Sequence, residues 1–89
     1  MVMSSDKTVI SPEQCRAARA WLRWSQEDLA KRSTVSLSTI KDFEKSEGRK
    51  TTANNRAALR RAIEEAGIGL VFDNEGTATG ITSQVSQSL

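Results

Sequence analysis

Between residues 10 and 66 apolar side chains recur every three or four positions, in runs broken by short polar stretches; after that the spacing drops to two. The first run opens on "ISPEQ". Ser11 is suited to cap a helix, Pro12 to fill its first position and Gln14 to close a capping box. Ile10 and Cys15 are placed for a hydrophobic staple. Cys15, Ala18, Trp21 and Leu22 then share one helical face, with Arg16, Arg19 and Arg23 away from its centre. Ser25, with Asp28 three residues on, opens a second short helix over about Gln26 to Arg32. "STVS" breaks it, and Ser36 caps a third helix from Leu37 to about Ser46. Thr52 caps a fourth, over about Ala53 to Ala66, in which Leu59, Ala62, Ile63 and Ala66 follow the i, i+3, i+4, i+7 spacing. Arg60 with Glu64, and Arg61 with Glu65, stand four apart on its exposed side, and Gly67 ends it. Ile68, Leu70 and Phe72 then alternate as a half-buried strand does, and "DNEG" has turn composition. From Thr77 onward Gly, Ser, Thr and Gln dominate, so the expectation there is a mobile tail. The pattern gives one domain over residues 10–73, between a flexible N-terminus (1–9) and a mobile tail (74–89).

Composition narrows what this domain does. The chain has 89 residues, of which 37% are hydrophobic, so its core is small. It has no His, no Tyr and one Cys, Cys15, which rules out an intrachain disulfide framework and leaves almost no basis for a Cys/His zinc site. Catalysis that needs an imidazole is likewise excluded, and neither a Gly-rich phosphate loop nor a recognisable carboxylate pair points to an enzyme. No cofactor or metal is expected. No apolar run has the length of a signal peptide or a membrane span, which reads as a soluble, reduced, cytoplasmic protein. Cys15 is most simply a small core residue, since nothing near it in sequence would lower its pKa. Charge is uneven. Residues 13–61 carry twelve Lys/Arg against six Asp/Glu, whereas residues 62–89 carry four acids and no base. A basic helical body suggests nucleic acid or another anionic surface.

The segment "SQEDLAKRSTVSLSTIKDFEK", residues 25–45, has little to bury. That fits two short helices packed steeply, the second presented outward to enter a DNA major groove. Such a unit needs a small residue where the helices nearly touch, met by Ala30. It needs apolar residues on the inner face of its second helix, met by Val35, Ile40 and Phe43. It needs polar residues on the outer face, met by Ser38, Lys41 and Lys45.

On Gln26, Leu29, Ala30, Val35, Ser36, Ser38, Thr39, Ile40 and Glu44, this stretch resembles the helix-turn-helix of the lambda-repressor-like (XRE-type) family of bacterial and phage transcriptional regulators. "TTANNRAALRRAIEEAGIGLVFD" is similar to the continuation found in short members, so the resemblance spans about Pro12 to Asp73. It implies a mainly α fold of four to five helices with a short C-terminal β-strand. It also implies that Gln26 bonds a DNA phosphate and steadies the third helix, that Leu37, Ser38 and Thr39 approach base edges, and that Arg19 and Glu44 form a buried structural ion pair. Two positions depart from the family pattern. Thr34 stands where the turn usually has Gly, and the Gly that usually follows Glu44 closely is displaced to Gly48.

The DNA-contacting set expected on this basis is Gln26, Ser36, Leu37, Ser38, Thr39, Lys41, Asp42, Lys45, Arg49 and Lys50. Lys41, Lys45, Arg49 and Lys50 are phosphate-neutralising candidates, and either helix lysine also has the reach for guanine. Ser38 and Thr39 suit several base edges, and Leu37 suits a thymine methyl. Asp42 either accepts from cytosine N4 or pairs locally with Lys45; the local role is the commoner one for a charged helix position. Lysines on a helix are by themselves usually just a solvated face, and only the surrounding motif raises these above that reading. Trp21 and Trp24 read better as core than as a stacking platform for single strands.

One such helix reads few base pairs, so specificity calls for a homodimer on an inverted-repeat operator. The candidate dimer surface is an edge strand carrying Ile68, Leu70 and Phe72; the alternative is that this strand only covers the fourth helix of its own chain. The resulting expectation is a sequence-specific regulator of transcription, associated with the nucleoid when bound, with RNA polymerase as a further partner if it activates. The competing expectation, from the acidic C-terminal part, is an antitoxin-like or other module of the same fold whose main partner is a protein.

Overall fold

The computed structural model describes residues 9–45 and 51–83. Helices α1 (Pro12–Leu22), α2 (Gln26–Ser33), α3 (Leu37–Lys45) and α4 (Ala53–Glu65) are followed by an antiparallel pair, β1 (Ile68–Phe72) and β2 (Ala78–Ser83). Expectations for Ser46, Gly48, Arg49, Lys50 and most of the two termini lie outside the described residues.

The helix starts follow from capping chemistry. Ser11 Oγ accepts from Gln14 N and Gln14 Oε1 accepts from Ser11 N, both at 3.0 Å. Ser25 and Asp28 repeat the arrangement for α2 at 2.9 Å each way, and Thr52 Oγ1 accepts from Asn55 N at the head of α4. The two breaks are made by left-handed residues rather than by glycine. Arg23 (φ 61°) ends α1 and Thr34 (φ 63°) ends α2. Both are conformations that a Cβ penalises, Thr34 the more so because it is β-branched.

Among the described residues eleven buried apolar side chains, from every helix, from β1 and from Ile10 and Val35 just outside the helices, form one core. Cys15 and Ala18 of α1, Ile40 and Phe43 of α3, and Leu59 and Ile63 of α4 are all at 0% exposure. Leu22 and Trp24 pack against this cluster. Trp21 does not: it is 64% exposed. At about 100° per residue it stands a quarter-turn away from the line Cys15–Ala18–Leu22, on the flank that also carries Gln14 and Ala17. The core reading fits Trp24 and fails for Trp21.

The C-terminal part departs furthest from expectation. The lone strand has a partner, because residues 78–83, expected as mobile tail, form β2 in register Ile68↔Ser83, Leu70↔Ile81 and Phe72↔Ala78, with an irregularity between Val71 and Phe72. Asp73 organises the connection: its Oδ1 accepts from Glu75 N and Thr77 N, each at 2.9 Å. Gly76, at φ 84°, supplies the positive φ that the turn requires. The side-chain amide of Gln14 ties the hairpin to α1. Gln14 Nε2 donates to Val71 O at 3.0 Å and to Gly80 O at 2.9 Å, one carbonyl on each strand.

This placement corrects the expected dimer surface. Ile68 is at 0% exposure inside its own core. Leu70 packs against that core, and Phe72 lies under Arg60, whose guanidinium sits 5.4 Å from the ring centre. The strand covers its own chain, and Ile68 is not available to a partner.

Candidate nucleic-acid interface

The segment from Gln26 to Lys45 is built to hold α3 by one side only. In the turn after α2, Ser33 is buried; its Oγ donates to Leu29 O at 2.7 Å and accepts from Val35 N at 3.1 Å, bridging the helix end to the turn. Thr34 N donates to Ala30 O, and its hydroxyl donates to Ser33 O. Val35 then drops into the core. Ser36 Oγ accepts from Thr39 N at 3.2 Å and donates to Thr39 Oγ1 at 2.8 Å. The first task of Ser36 is therefore to cap α3.

Along α3 the two faces separate cleanly. Ile40, Phe43 and Glu44 are buried, whereas Ser38, Lys41, Asp42 and Lys45 are exposed and Leu37 is half-buried. At helical spacing these five outer positions fall within one arc of about 140°. Leu37, Ser38, Lys41, Asp42 and Lys45 thus come together as expected. Thr39 lies half-buried on the flank of that arc, its oxygen already accepting from Ser36.

The inner side is fixed by a charge network on Glu44, whose side chain is 5% exposed. Arg19 reaches it with two parallel bonds, Nη2 to Oε1 at 2.7 Å and Nε to Oε2 at 2.9 Å. Such bidentate geometry adds direction as well as strength. Gln26 Nε2 donates to Oε1 at 3.1 Å and Cys15 Sγ to Oε2 at 3.1 Å. Arg16 Nη1 donates to the Glu44 carbonyl, and Arg19 Nη1 to Trp24 O at 3.1 Å. Burial pushes the Glu44 pKa up, but the bonds from Arg19, Cys15 and Gln26 outweigh it and hold the carboxyl below its ordinary value. Burial, with Glu44 as acceptor, pushes the Cys15 thiol well above the usual range, in keeping with an inert core residue. Gln26 sits where it steadies α3 through Glu44, with one amide hydrogen already committed there.

Several of these partners were not legible from the chain. Cys15 and Arg16 join the network because α1 crosses α3, and Arg32 stacks over Trp24 at 4.6 Å. Among the described residues no three His, Cys, Asp or Glu come together to hold a metal ion, and no helix is long and apolar enough to cross a membrane. Comparison with family models and with curated proteins gives no match.

Proposed function

We propose that this chain is a sequence-specific double-stranded-DNA-binding regulator of transcription of the XRE helix-turn-helix type, acting as a homodimer on an inverted-repeat operator with α3 in the major groove. The observation that carries the reading is the division of α3. Its inner face is locked through Glu44 to Arg19 and Gln26, while Ser38, Lys41 and Lys45 share a solvent face with no core role. A helix anchored on one side and equipped with short hydroxyls and lysines on the other suits base edges near its start and phosphates further along. In this reading Ser38 and Leu37 read bases, Lys41 and Lys45 supply phosphate or guanine contacts, and Gln26 and Thr39 fix register. The resemblance of residues 26–44 to that family supports the same assignment.

The test is the salt dependence of binding to duplex DNA by fluorescence anisotropy. If Lys41 meets a phosphate, Lys41→Ala weakens binding across sequences and lowers the slope of log K against log salt by about 1. An unchanged slope, with unchanged affinity, removes Lys41 from the interface.

A further inference from the structure

We propose that a second copy of this chain docks on the outer flank of α1, antiparallel to it, with Trp21 of each copy seated in the groove between α1 and β2 of the other. This deepens the functional reading and rests on it for the need of a dimer; the knob and the groove are properties of the fold alone.

Three observations point to a self-complementary face. First, Trp21 is the most exposed large apolar residue among the described residues, at 64%, and tryptophan is among the residue types enriched at interface centres. Second, an open groove of about 390 Å³ lies on the same flank one to two turns earlier, lined by Glu13, Gln14, Ala17, Ala78, Gly80 and Ile81 among others. A Cβ built on Gly80 meets nothing within 4 Å, so the groove has open space above β2. Third, the outermost positions between knob and groove are Ala17 and Ala20, both exposed. They let two helices approach closely.

The symmetry works in only one sense. A two-fold axis perpendicular to α1 near Ala17 reverses the second helix but keeps both grooves on the same side of the pair. Trp21 of one copy then lies beside Glu13 of the other, because these positions are eight residues apart, about 12 Å along the axis. The indole enters the groove, and its N–H faces a carboxylate. A parallel pairing instead opposes Glu13 to Glu13. Among the described residues Glu13 makes a long 3.9 Å contact with Arg16. Arg16 and Arg19, whose guanidinium groups reach Glu44 of α3, lie on the opposite flank, so pairing leaves the outer face of α3 open. Trp21 has about two thirds of its surface left to bury, so two indoles, the grooves they fill and the alanine faces between them make an interface at or below the small end of the range for specific dimers. Association is expected at micromolar concentrations and is tightened by a two-fold DNA site.

The experiment is sedimentation equilibrium of the full 89-residue chain, as wild type, Trp21→Ala and Gly80→Val, with binding to a random-sequence duplex at low salt measured in parallel. Trp21→Ala removes the knob from a solvent-exposed position, and Gly80→Val fills the groove from within a strand that tolerates it. Circular dichroism confirms the fold of each. Both variants are expected to dimerise at least about tenfold more weakly than wild type, with duplex binding by the monomer unchanged. A wild type that stays monomeric at high micromolar concentration overturns the proposal, as do variants that associate as tightly as wild type. If association responds as expected but no form binds duplex, the DNA reading falls and the interface stands.

Discussion

Replacing Arg19 by Met tests how α3 is anchored. Met keeps most of the aliphatic stem and removes the guanidinium. Glu44 is then a carboxylate at 5% side-chain exposure whose remaining donors among the described residues, Gln26 Nε2 and Cys15 Sγ, are neutral, with the Arg16 guanidinium on its main-chain carbonyl. Removing one partner of a buried pair costs about 3–5 kcal/mol. A chain of 89 residues has a total stability of roughly 4–13 kcal/mol, so the loss is a large fraction of it. The pH dependence gives a sharper test. In the wild type the folded pKa of Glu44 lies below its unfolded value of about 4.3. The pair's contribution is therefore present above that pH and is lost as pH falls through the folded pKa. Without Arg19 its bond and its charge no longer lower the Glu44 pKa while burial still raises it, so the folded pKa moves up from its wild-type position. The variant lacks the pair's contribution at neutral pH, and its gap to the wild type closes as pH falls and Glu44 is protonated in both. Urea unfolding of both proteins between about pH 4 and pH 7 measures this directly. A gap between wild type and variant of several kcal/mol at neutral pH that narrows in acid is expected. A gap below about 1 kcal/mol at neutral pH, or one that does not change with pH, refutes a buried charge-paired Glu44.

Three further substitutions probe the rest of the frame. Thr34→Gly relieves a β-branched residue at φ 63° and is expected to stabilise by about 1 kcal/mol; a lower midpoint in a thermal melt would show that the left-handed turn is not formed. Gln14→Ala removes both strand carbonyls' shared donor together with half a capping box, at roughly 0.5–1.5 kcal/mol per bond. Amide exchange in β2 is expected to accelerate more than in α4, and uniform acceleration would contradict a local strap. Ile68→Ala should cost about 2–5 kcal/mol because Ile68 is fully buried; a near-neutral urea midpoint would return that side chain to the surface.

The helices were readable because their signals are local. Ser11 with Gln14, Ser25 with Asp28, and Thr52 each act within one turn, and the apolar spacing of α3 sorted Ile40 and Phe43 inward without any knowledge of what covers them. β2 was not readable for the opposite reason. "ATGITS" carries one large apolar residue, and its strand character comes from pairing with β1 and from the reach of Gln14, both long-range. Periodicity does not place Trp21, because α1 offers two adjacent apolar arcs. Leu22 fills the one facing the core, and only the extent of the hairpin decides that the other stays open. The outer face of α3 was visible as a pattern of Ser38, Lys41 and Lys45. That Gln26, Cys15 and Arg19 all converge on Glu44 depends on how α1 crosses α3, which periodicity does not encode.

The measurement that bears most directly on function is selection from a random duplex DNA pool at near-physiological salt, followed by sequencing of the bound fraction. Enrichment of two inverted half-sites with centres about one helical turn apart is expected. Ser38→Ala and Lys41→Ala are each expected to relax preference at particular base positions while leaving the others intact. Binding without enrichment, weak and abolished by modest salt, would mean that the face of α3 is merely basic and that the protein does not read sequence.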